Sequence, residues 1–432
     1  MSRVMMDICE EHLDEASFLW TQWERALVAP DYDLSDTAEL EERLLAHLDG
    51  LVEGGNPVAE ALLRPSLESE EVTRVSSAAF ALLASAGMEK CQALLRDASP
   101  DQRTSIQRAL ELCAGRELGE SLLPLLKADD PDLLATVLEV LVVREEASDT
   151  MLADFLTHEN ARIRTAALKG LRALPRSNPR NLLSQALTSP IPALRDAAIE
   201  AGLVAGVRDA WTVCRKVLAA RDDHGREPMV LWAMGCEEKE VELLVELLQE
   251  PRLRANALWA LGFSGWAVAA DACLAWLADD AVARLAGEAF SAITGLRLED
   301  QYVLPEQEPP EEPIPLEQED LDANLVPRAE DALPRPNPEA ITEWWREARG
   351  RFERRTRYLM GYPFHSEVLM TALERGSMRR RHVHARELAI RSRRTCHVPT
   401  RLLTRQQRAG LERAKGASTR TSAFPFARLL SV

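Results

Sequence analysis

The sequence predicts an all-α fold: an α-solenoid of about eight helix pairs, with an N-terminal helical cap and a small C-terminal helical module. Three observations predict it. Hydrophobic residues make up 46% of the chain but aromatic residues only 5%, and the abundant Leu and Ala favour helices. No stretch alternates apolar and polar residues for long enough to form a strand. A helical pattern also recurs about every thirty residues, which is typical of stacked helical hairpins.

Residues 1–55 are predicted to form the cap. The first amphipathic helix covers residues 7–28 and ends before Pro30, and a second helix follows at about 35–53. Leu residues at 40, 44, 48 and 51 give the second helix one apolar stripe. Two such helices can bury their apolar sides against each other and against the first repeat.

Residues 56–298 are predicted to form the HEAT-like repeat region. From Leu152 the marker of each first helix steps by 30, 31, 30 and 30 residues. The markers that follow Leu152 are Leu182, Val213, Leu243 and Cys273. A second marker opens the second helix of each unit, at Arg164, Arg195, Glu227 and Arg254. One pair cannot enclose both of its apolar faces, so the pairs are expected to stack.

The C-terminal part divides by composition. Residues 299–338 are rich in Pro and acidic residues and are predicted to form an extended linker. Residues 339–415 are predicted to form a basic helical module, and partial disorder is the expectation for the tail at 416–432. The net charge is −17, yet residues 339–432 carry +13 and residues 1–338 therefore −30. The basic module is expected to attract an acidic partner or the acidic part of its own chain.

Several stretches carry a family resemblance. They are EEHLDEASFLW and LEERLLAHLDGL near the start, LPRPNPEAITEWWREARGRF, RYLMGYP and LERGSMRRRHVHARELA. With the repeats between them, the chain resembles an uncharacterised family of proteobacterial proteins with HEAT-like repeats. Genes of this family often lie near type VI secretion loci. The resemblance implies a solenoid and a protein partner of that system, and it supplies no catalytic residues.

Trp232 and Trp259 are candidate protein-binding residues. They hold equivalent places in VLWAMG and ALWALG, where the two preceding units have Lys169 and Glu200. A position that accepts Lys and Glu is expected to face solvent. Two tryptophans there would form an exposed aromatic strip, and such strips commonly mark binding sites. The alternative is that both rings are core.

The densest basic patch is the second candidate site. It consists of Arg379, Arg380, Arg381, His382, His384 and Arg386. The patch could bind nucleic acid, dock onto an acidic surface of another protein or of this chain, or remain solvated. Few aromatic residues interleave with it for base stacking, which disfavours nucleic acid.

No motif predicts catalysis, a metal or a cofactor. The Glu11-His12 dipeptide lacks the second histidine of HExxH, and no P-loop, GxGxxG or GxSxG occurs. Seven scattered cysteines without CxxC suit a reducing compartment, and no apolar stretch is long enough to span a membrane. The sequence predicts a cytoplasmic, non-enzymatic scaffold or adaptor with a protein partner. The family resemblance implies that this partner is a type VI secretion component or effector. The alternative is a nucleic-acid-associated HEAT-repeat protein.

Overall fold

A computed structural model describes residues 5–85, 89–115, 117–174, 179–305, 328–417 and 423–430. The fold is all-α, as predicted. Within these ranges the only strands are β1 (Tyr358–Leu359) and β2 (Tyr362–Pro363), which pair antiparallel in a short hairpin. None of the helices in the described ranges has both the length and the apolarity needed to cross a membrane.

Two long helices open the chain. They are α1 (Met6–Ala26) and α2 (Leu34–Glu53), close to the predicted bounds. Asp33 caps α2, because its carboxylate accepts the N–H groups of Ser35 and Asp36. Trp20 and Trp23 are buried between these helices and α5 (Val72–Ser85).

Two sets of helices then alternate along the chain. The first set comprises α3 (Gly55–Val58), which continues through a π-helical turn (Ala59–Leu63) into α4 (Arg64–Ser66), α6 (Glu89–Asp97), α8 (Glu117–Leu122), α10 (Asp149–Phe155), α12 (Pro179–Leu187), α14 (Arg208–Ala220), α16 (Glu242–Leu247) and α18 (Ala267–Leu274). Following these in turn are α5, α7 (Pro100–Leu112), α9 (Pro131–Val143), α11 (Ala161–Gly170), α13 (Pro192–Val204), α15 (Arg226–Gly235), α17 (Pro251–Ser264) and α19 (Ala283–Thr294).

The helices α5, α7, α9, α11, α13, α15, α17 and α19 pack against one another in this order, and we call them the inner layer. Local sequence explains where several of them begin. Asp130 and Asn160 cap α9 and α11 by accepting backbone N–H groups. Proline occupies the first turn of α9, α13 and α17, where its missing N–H costs no helical hydrogen bond.

The acidic segment differs from the predicted extended linker at both of its ends. Val303 pairs with Pro336 across an antiparallel bridge. The Leu304 N–H donates to the Arg335 carbonyl at 2.8 Å, and Asn337 donates to Tyr302 at 2.8 Å. These backbone bonds hold the two ends of the segment side by side, so it does not act as a spacer between the parts it connects. Residues 306–327, in its middle, lie outside the described residues.

The C-terminal helices are not a separate appendage. They are α20 (Pro338–Ala348), α21 (Ser366–Arg375), α22 (Met378–Arg391), α23 (Thr404–Ala417) and α24 (Phe426–Leu429). The first residues of α22 bond to the loop after α1, where Met378 and Arg379 donate to Tyr32 and Ala29 at 2.8 and 3.0 Å. Farther along, α22 contacts α13 of the inner layer. One helix therefore joins the start of the chain to its repeats.

The described part of the tail packs against the interior of the molecule. Phe426 is fully buried, and Leu430 is buried beside it in the same core. An aromatic anchor of this size stabilises an otherwise short helix. The expectation for residues 418–422 and 431–432 falls outside the described part.

Candidate functional site

The helix α22 is a buried helix made largely of charged residues. Arg379, Arg380, Arg381, Glu387 and Arg391 are all less than 10% exposed. Burying a charge is costly unless it is paired and hydrogen-bonded. The partners of these side chains therefore explain how the helix can lie in the interior.

Arg379 and Arg380 pair with the last helix of the inner layer. Arg379 lies 3.3 Å from the Glu288 carboxylate of α19 and also 3.3 Å from Glu330. Arg380 lies 3.6 Å from the Glu288 carboxylate and donates to the Gly262 carbonyl of α17 at 2.8 Å. Burial lowers the pKa of Arg380, although Glu288 opposes that shift.

Arg386 pairs with two successive helices of the inner layer. It lies 2.9 Å from Glu200 of α13 and also binds Glu227 of α15. Burial opposes its charge, but the two carboxylates outweigh burial and raise the pKa of Arg386. A side chain that bridges two helices in this way fixes the position of α22 along the layer.

Arg381 and His382 turn toward the C-terminal module and α1. Arg381 donates to the Leu373 carbonyl and to Gln407, both at 2.6 Å. The His382 Nε2–H donates to the Leu27 carbonyl at 2.8 Å, and Nδ1 accepts from the Thr400 hydroxyl at 2.7 Å. Burial lowers the pKa of His382 to about 3, so its ring is neutral near pH 7.

His384 is buried against an aromatic ring. Its centroid lies 5.5 Å from that of Phe263 in an edge-to-face arrangement. Burial, followed by the charge of Arg380, lowers the pKa of His384 to about 3. A neutral ring in this place packs as an apolar group.

These contacts correct one interpretation of the basic patch. The side chains of Arg379, Arg380, Arg381, His382, His384 and Arg386 do not form an exposed surface for nucleic acid, because most are buried and bonded within the chain. The alternative of docking onto an acidic part of the same chain matches the contacts of Arg379, Arg380 and Arg386. The sequence feature that pointed to this internal docking was the opposite net charge of residues 1–338 and 339–432.

Trp259 is buried, which contradicts the predicted aromatic strip. It is 7% exposed. The guanidinium of Arg379 lies 4.5 Å from its ring centroid and that of Arg380 5.3 Å. Because α22 covers this position of α17, a residue that would face solvent on bare repeats becomes part of the interior.

Trp232 is also buried, for a different reason. It stacks on Trp211 of α14, with ring centroids 4.3 Å apart and planes 12° apart. Its indole N–H donates to the Glu240 carbonyl at 3.3 Å. The two tryptophans therefore form no exposed strip, and they are withdrawn as a docking surface.

A feature that sequence analysis missed lies near the C-terminal end of α22. It is a cavity of about 710 Å³, which we call the tail cavity. It is lined by Met234, Cys236, Glu237, Glu238, Lys239, Trp266, Arg355, Thr356, Arg357, Pro363, Phe364, Arg391 and residues 423–425 and 428. These residues come from distant segments, so no local motif could have revealed the cavity.

The floor of the tail cavity holds a buried ion-pair network. Glu387 binds both Arg357 and Arg391, and Arg391 lies 2.8 Å from its carboxylate. Burial raises the pKa of Glu387, but the two guanidinium groups outweigh it and the net shift is downward. Burial lowers the pKa of Arg391 to about 10. Arg391 is therefore charged near pH 7.

The described ranges assemble no metal site, and two of their thiols are deeply buried. No group of three or more His, Cys, Asp or Glu residues there could hold a metal ion. Burial raises the pKa of the Cys236 and Cys273 thiols to about 12, so these thiols are protonated near pH 7.

Comparison with known proteins places the chain in no family. No family model matches it, and no curated protein is significantly similar to it. The resemblance to a HEAT-like family therefore remains a prediction from sequence motifs.

Proposed function

We propose that this chain is a non-enzymatic protein-binding scaffold built on about eight HEAT-like helix pairs. One observation carries the proposal: the inner layer packs in sequence order, and α22 ties it to the N-terminal helices. Stacked helix pairs offer long surfaces to other proteins. A helix that fixes the layer also reduces the ordering cost of binding.

The surface that partners contact is not the face of the inner layer covered by α22. Glu200, Glu227 and Glu288 on that face are engaged by arginines of α22. A partner would instead use the helices that alternate with those of the inner layer, or the C-terminal module. By family resemblance, the partner is a component or effector of type VI secretion, met in the cytoplasm.

The nucleic-acid alternative loses its main support. It depended on the basic patch, and Arg379, Arg380 and Arg386 are used in ion pairs within the chain. No other observation favours it, so we propose a protein partner alone.

The test is affinity purification of the full chain at native expression, followed by reconstitution. Proteins enriched over an untagged control are purified and mixed with the purified chain. A stable complex in size-exclusion chromatography supports the proposal. If cross-linked and low-salt preparations yield no protein that re-forms a complex with the purified chain, the scaffold proposal is rejected.

A further inference from the structure

The tail cavity has a cationic lining on a strongly acidic protein. The whole chain carries a net charge of −17. The lining of the tail cavity nevertheless contains more cations than carboxylates. The carboxylates are those of Glu237 and Glu238, and the five cationic side chains are those of Lys239, Arg355, Arg357, Arg391 and Arg428. A local excess of one sign in a partly enclosed space raises the concentration of ligands of the opposite sign.

Carboxylates are shared among these cations. On the floor, Arg357 and Arg391 bind the same carboxylate, Glu387. At the rim, Lys239 and Arg428 each lie 3.5 Å from Glu237. When Glu387 is counted with the lining residues, their formal charges still sum to +2. An entering carboxylate is therefore attracted, and the attraction is stronger here than on an open surface because the cavity excludes part of the water.

The tail cavity also offers apolar area. Trp266 and Phe364 line it and are buried, whereas Phe424 lines it and is 59% exposed. Next to the lining residue Pro363, Tyr362 is 64% exposed. Aromatic side chains beside cations are typical of surfaces that bind peptides through one anchor residue. A free phosphate would make no use of this apolar part.

The chain itself shows how a peptide fits beside these residues. Arg391 donates to the Phe424 carbonyl at 2.7 Å, and the next aromatic residue, Phe426, is fully buried. The guanidinium of Arg391 lies 5.0 Å from the Phe426 ring centroid. One cation thus contacts both a peptide carbonyl and an aromatic anchor.

The rim residue Arg355 has an unusual backbone. Its φ of 64° lies in the left-handed region that favours glycine, and its N–H donates to Glu238 at 3.1 Å. Non-glycine residues in this region concentrate at binding sites, where the surrounding structure holds them.

We propose that the tail cavity binds an acidic peptide segment with an aromatic anchor, supplied by a partner protein. This inference rests on the proposed scaffold function and names the chemistry of its partner. The partner's carboxylates contact Arg355, Arg428 and Lys239 at the rim, and its aromatic side chain packs against Phe364 and Phe424.

The probe is a fluorescein-labelled peptide, Asp-Glu-Phe-Asp-Glu, titrated with the full chain. Fluorescence anisotropy at about 0.05 M salt keeps electrostatic screening weak. We expect saturable binding that weakens as salt rises. The matched peptide Asn-Gln-Phe-Asn-Gln should bind at least about tenfold more weakly, since it lacks the charges that the rim attracts.

Charge-reversal variants locate the binding. Arg355→Glu and Arg428→Glu change exposed rim residues. Each should weaken binding of the acidic peptide by roughly tenfold. Arg252→Glu is the matched control, because Arg252 is 57% exposed, pairs with Asp223 and lies outside the cavity. It should change the affinity by less than about twofold. Circular dichroism confirms that each variant is folded.

Three results would overturn the inference. They are no binding of the acidic peptide by folded wild type, equal affinity for the neutral and the acidic peptide, and equal losses of affinity in Arg252→Glu and Arg355→Glu. Tighter binding of single-stranded DNA at the same rim residues would also overturn it, in favour of nucleic acid. The inference and the scaffold proposal can fail separately. If a reconstituted partner binds Arg355→Glu and Arg428→Glu as well as wild type, the scaffold stands and the cavity assignment falls.

Discussion

Lys169, Glu200, Trp232 and Trp259 hold equivalent positions in four inner-layer helices, yet their environments differ. Lys169 is exposed and Glu200 is half-buried, while both tryptophans are buried. The Glu200 carboxylate binds Arg386 of α22, and Trp259 lies under two arginines of the same helix. What covers this position therefore differs between helices: α22 covers Trp259 and pairs with Glu200, whereas Trp211 of α14 covers Trp232.

Trp259→Ala should therefore destabilise the fold. Removing a buried tryptophan leaves a cavity and costs about 3–5 kcal/mol, and here the contacts of Arg379 and Arg380 with the ring are lost as well. Urea denaturation followed by circular dichroism measures the change. Phe18→Ala is the control, because Phe18 is 57% exposed and should cost less than about 1 kcal/mol. Equal losses of unfolding free energy in the two variants would indicate that the Trp259 side chain is exposed.

His384 should make the fold sensitive to acid. Its pKa is lowered from 6.5 to about 3, so the unfolded chain takes up a proton that the folded chain refuses. Stability is then full above about pH 6.5 and falls as the pH drops toward 3, by up to about 1.4 kcal/mol per pH unit. His384→Leu should remove this contribution and lessen the loss of unfolding free energy between pH 7.5 and 5.5.

The control for that measurement is His224→Leu, at an exposed imidazole. Chemical denaturation of wild type and both variants at the two pH values gives the comparison. If His384→Leu keeps the full pH dependence of the wild type, the ring is not buried and neutral as described.

At the scale of elements, α22 shows why amphipathicity failed as a guide. Its sequence, MRRRHVHARELAIR, has no wide apolar face, and such a helix is ordinarily expected at the surface. It is buried because its charges meet carboxylates and carbonyls on α13, α15, α17 and α19. Those partners lie up to 186 residues away in sequence, and no local pattern encodes them.

The docking of α24 depends on a glycine in α15. A Cβ at Gly235 would lie 2.2 Å from the Phe426 ring, and this close contact requires one of the two elements to move. Gly235→Ala should displace the tail at a cost of about 1–3 kcal/mol. Limited proteolysis should then cleave residues 423–430 faster than in wild type.

Gly350→Ala is the matched control, because a Cβ there meets no atom within 4 Å. It should leave the cleavage rate unchanged. If the tail of Gly235→Ala resists cleavage as well as the wild-type tail does, burial of the Phe426 side chain is not what holds the tail in place.

At the scale of the whole molecule, long-range contacts join the two ends of the chain. The Glu41 carboxylate of α2 accepts the Thr404 N–H at 2.8 Å, at the start of α23. It also accepts the Thr404 hydroxyl at 2.9 Å and the Trp23 indole N–H at 3.2 Å. A carboxylate at a helix N-terminus is favourable, and here it comes from a residue more than 360 positions away.

Glu41→Ala should weaken this closure. It leaves buried donors on Thr404 and Trp23 without their acceptor, at a cost of about 2–4 kcal/mol. Hydrogen exchange should rise in α23 and in α1 together, since one contact holds both. Glu42→Ala, at the exposed neighbouring position, should leave exchange unchanged. A rise confined to α2 would contradict the proposed link between the ends.

The sequence by itself determined the all-α class and the places of most helices. Helix periodicity, prolines and caps act within a few residues, so the markers Arg164 and Arg254 do lie in the first turns of α11 and α17. The opposite charges of the two halves also anticipated that the basic segment would meet carboxylates. These are local or compositional properties.

Only the tertiary structure decided the burial of α22, of Trp232 and Trp259, and the existence of the tail cavity. Each depends on which distant segments meet: Arg386 with Glu200, Phe426 with Gly235, and Arg357 with Glu387. The free energy of such contacts comes from desolvation and pairing in the folded chain. The residue type at one position does not specify which distant residue will cover it in the folded chain.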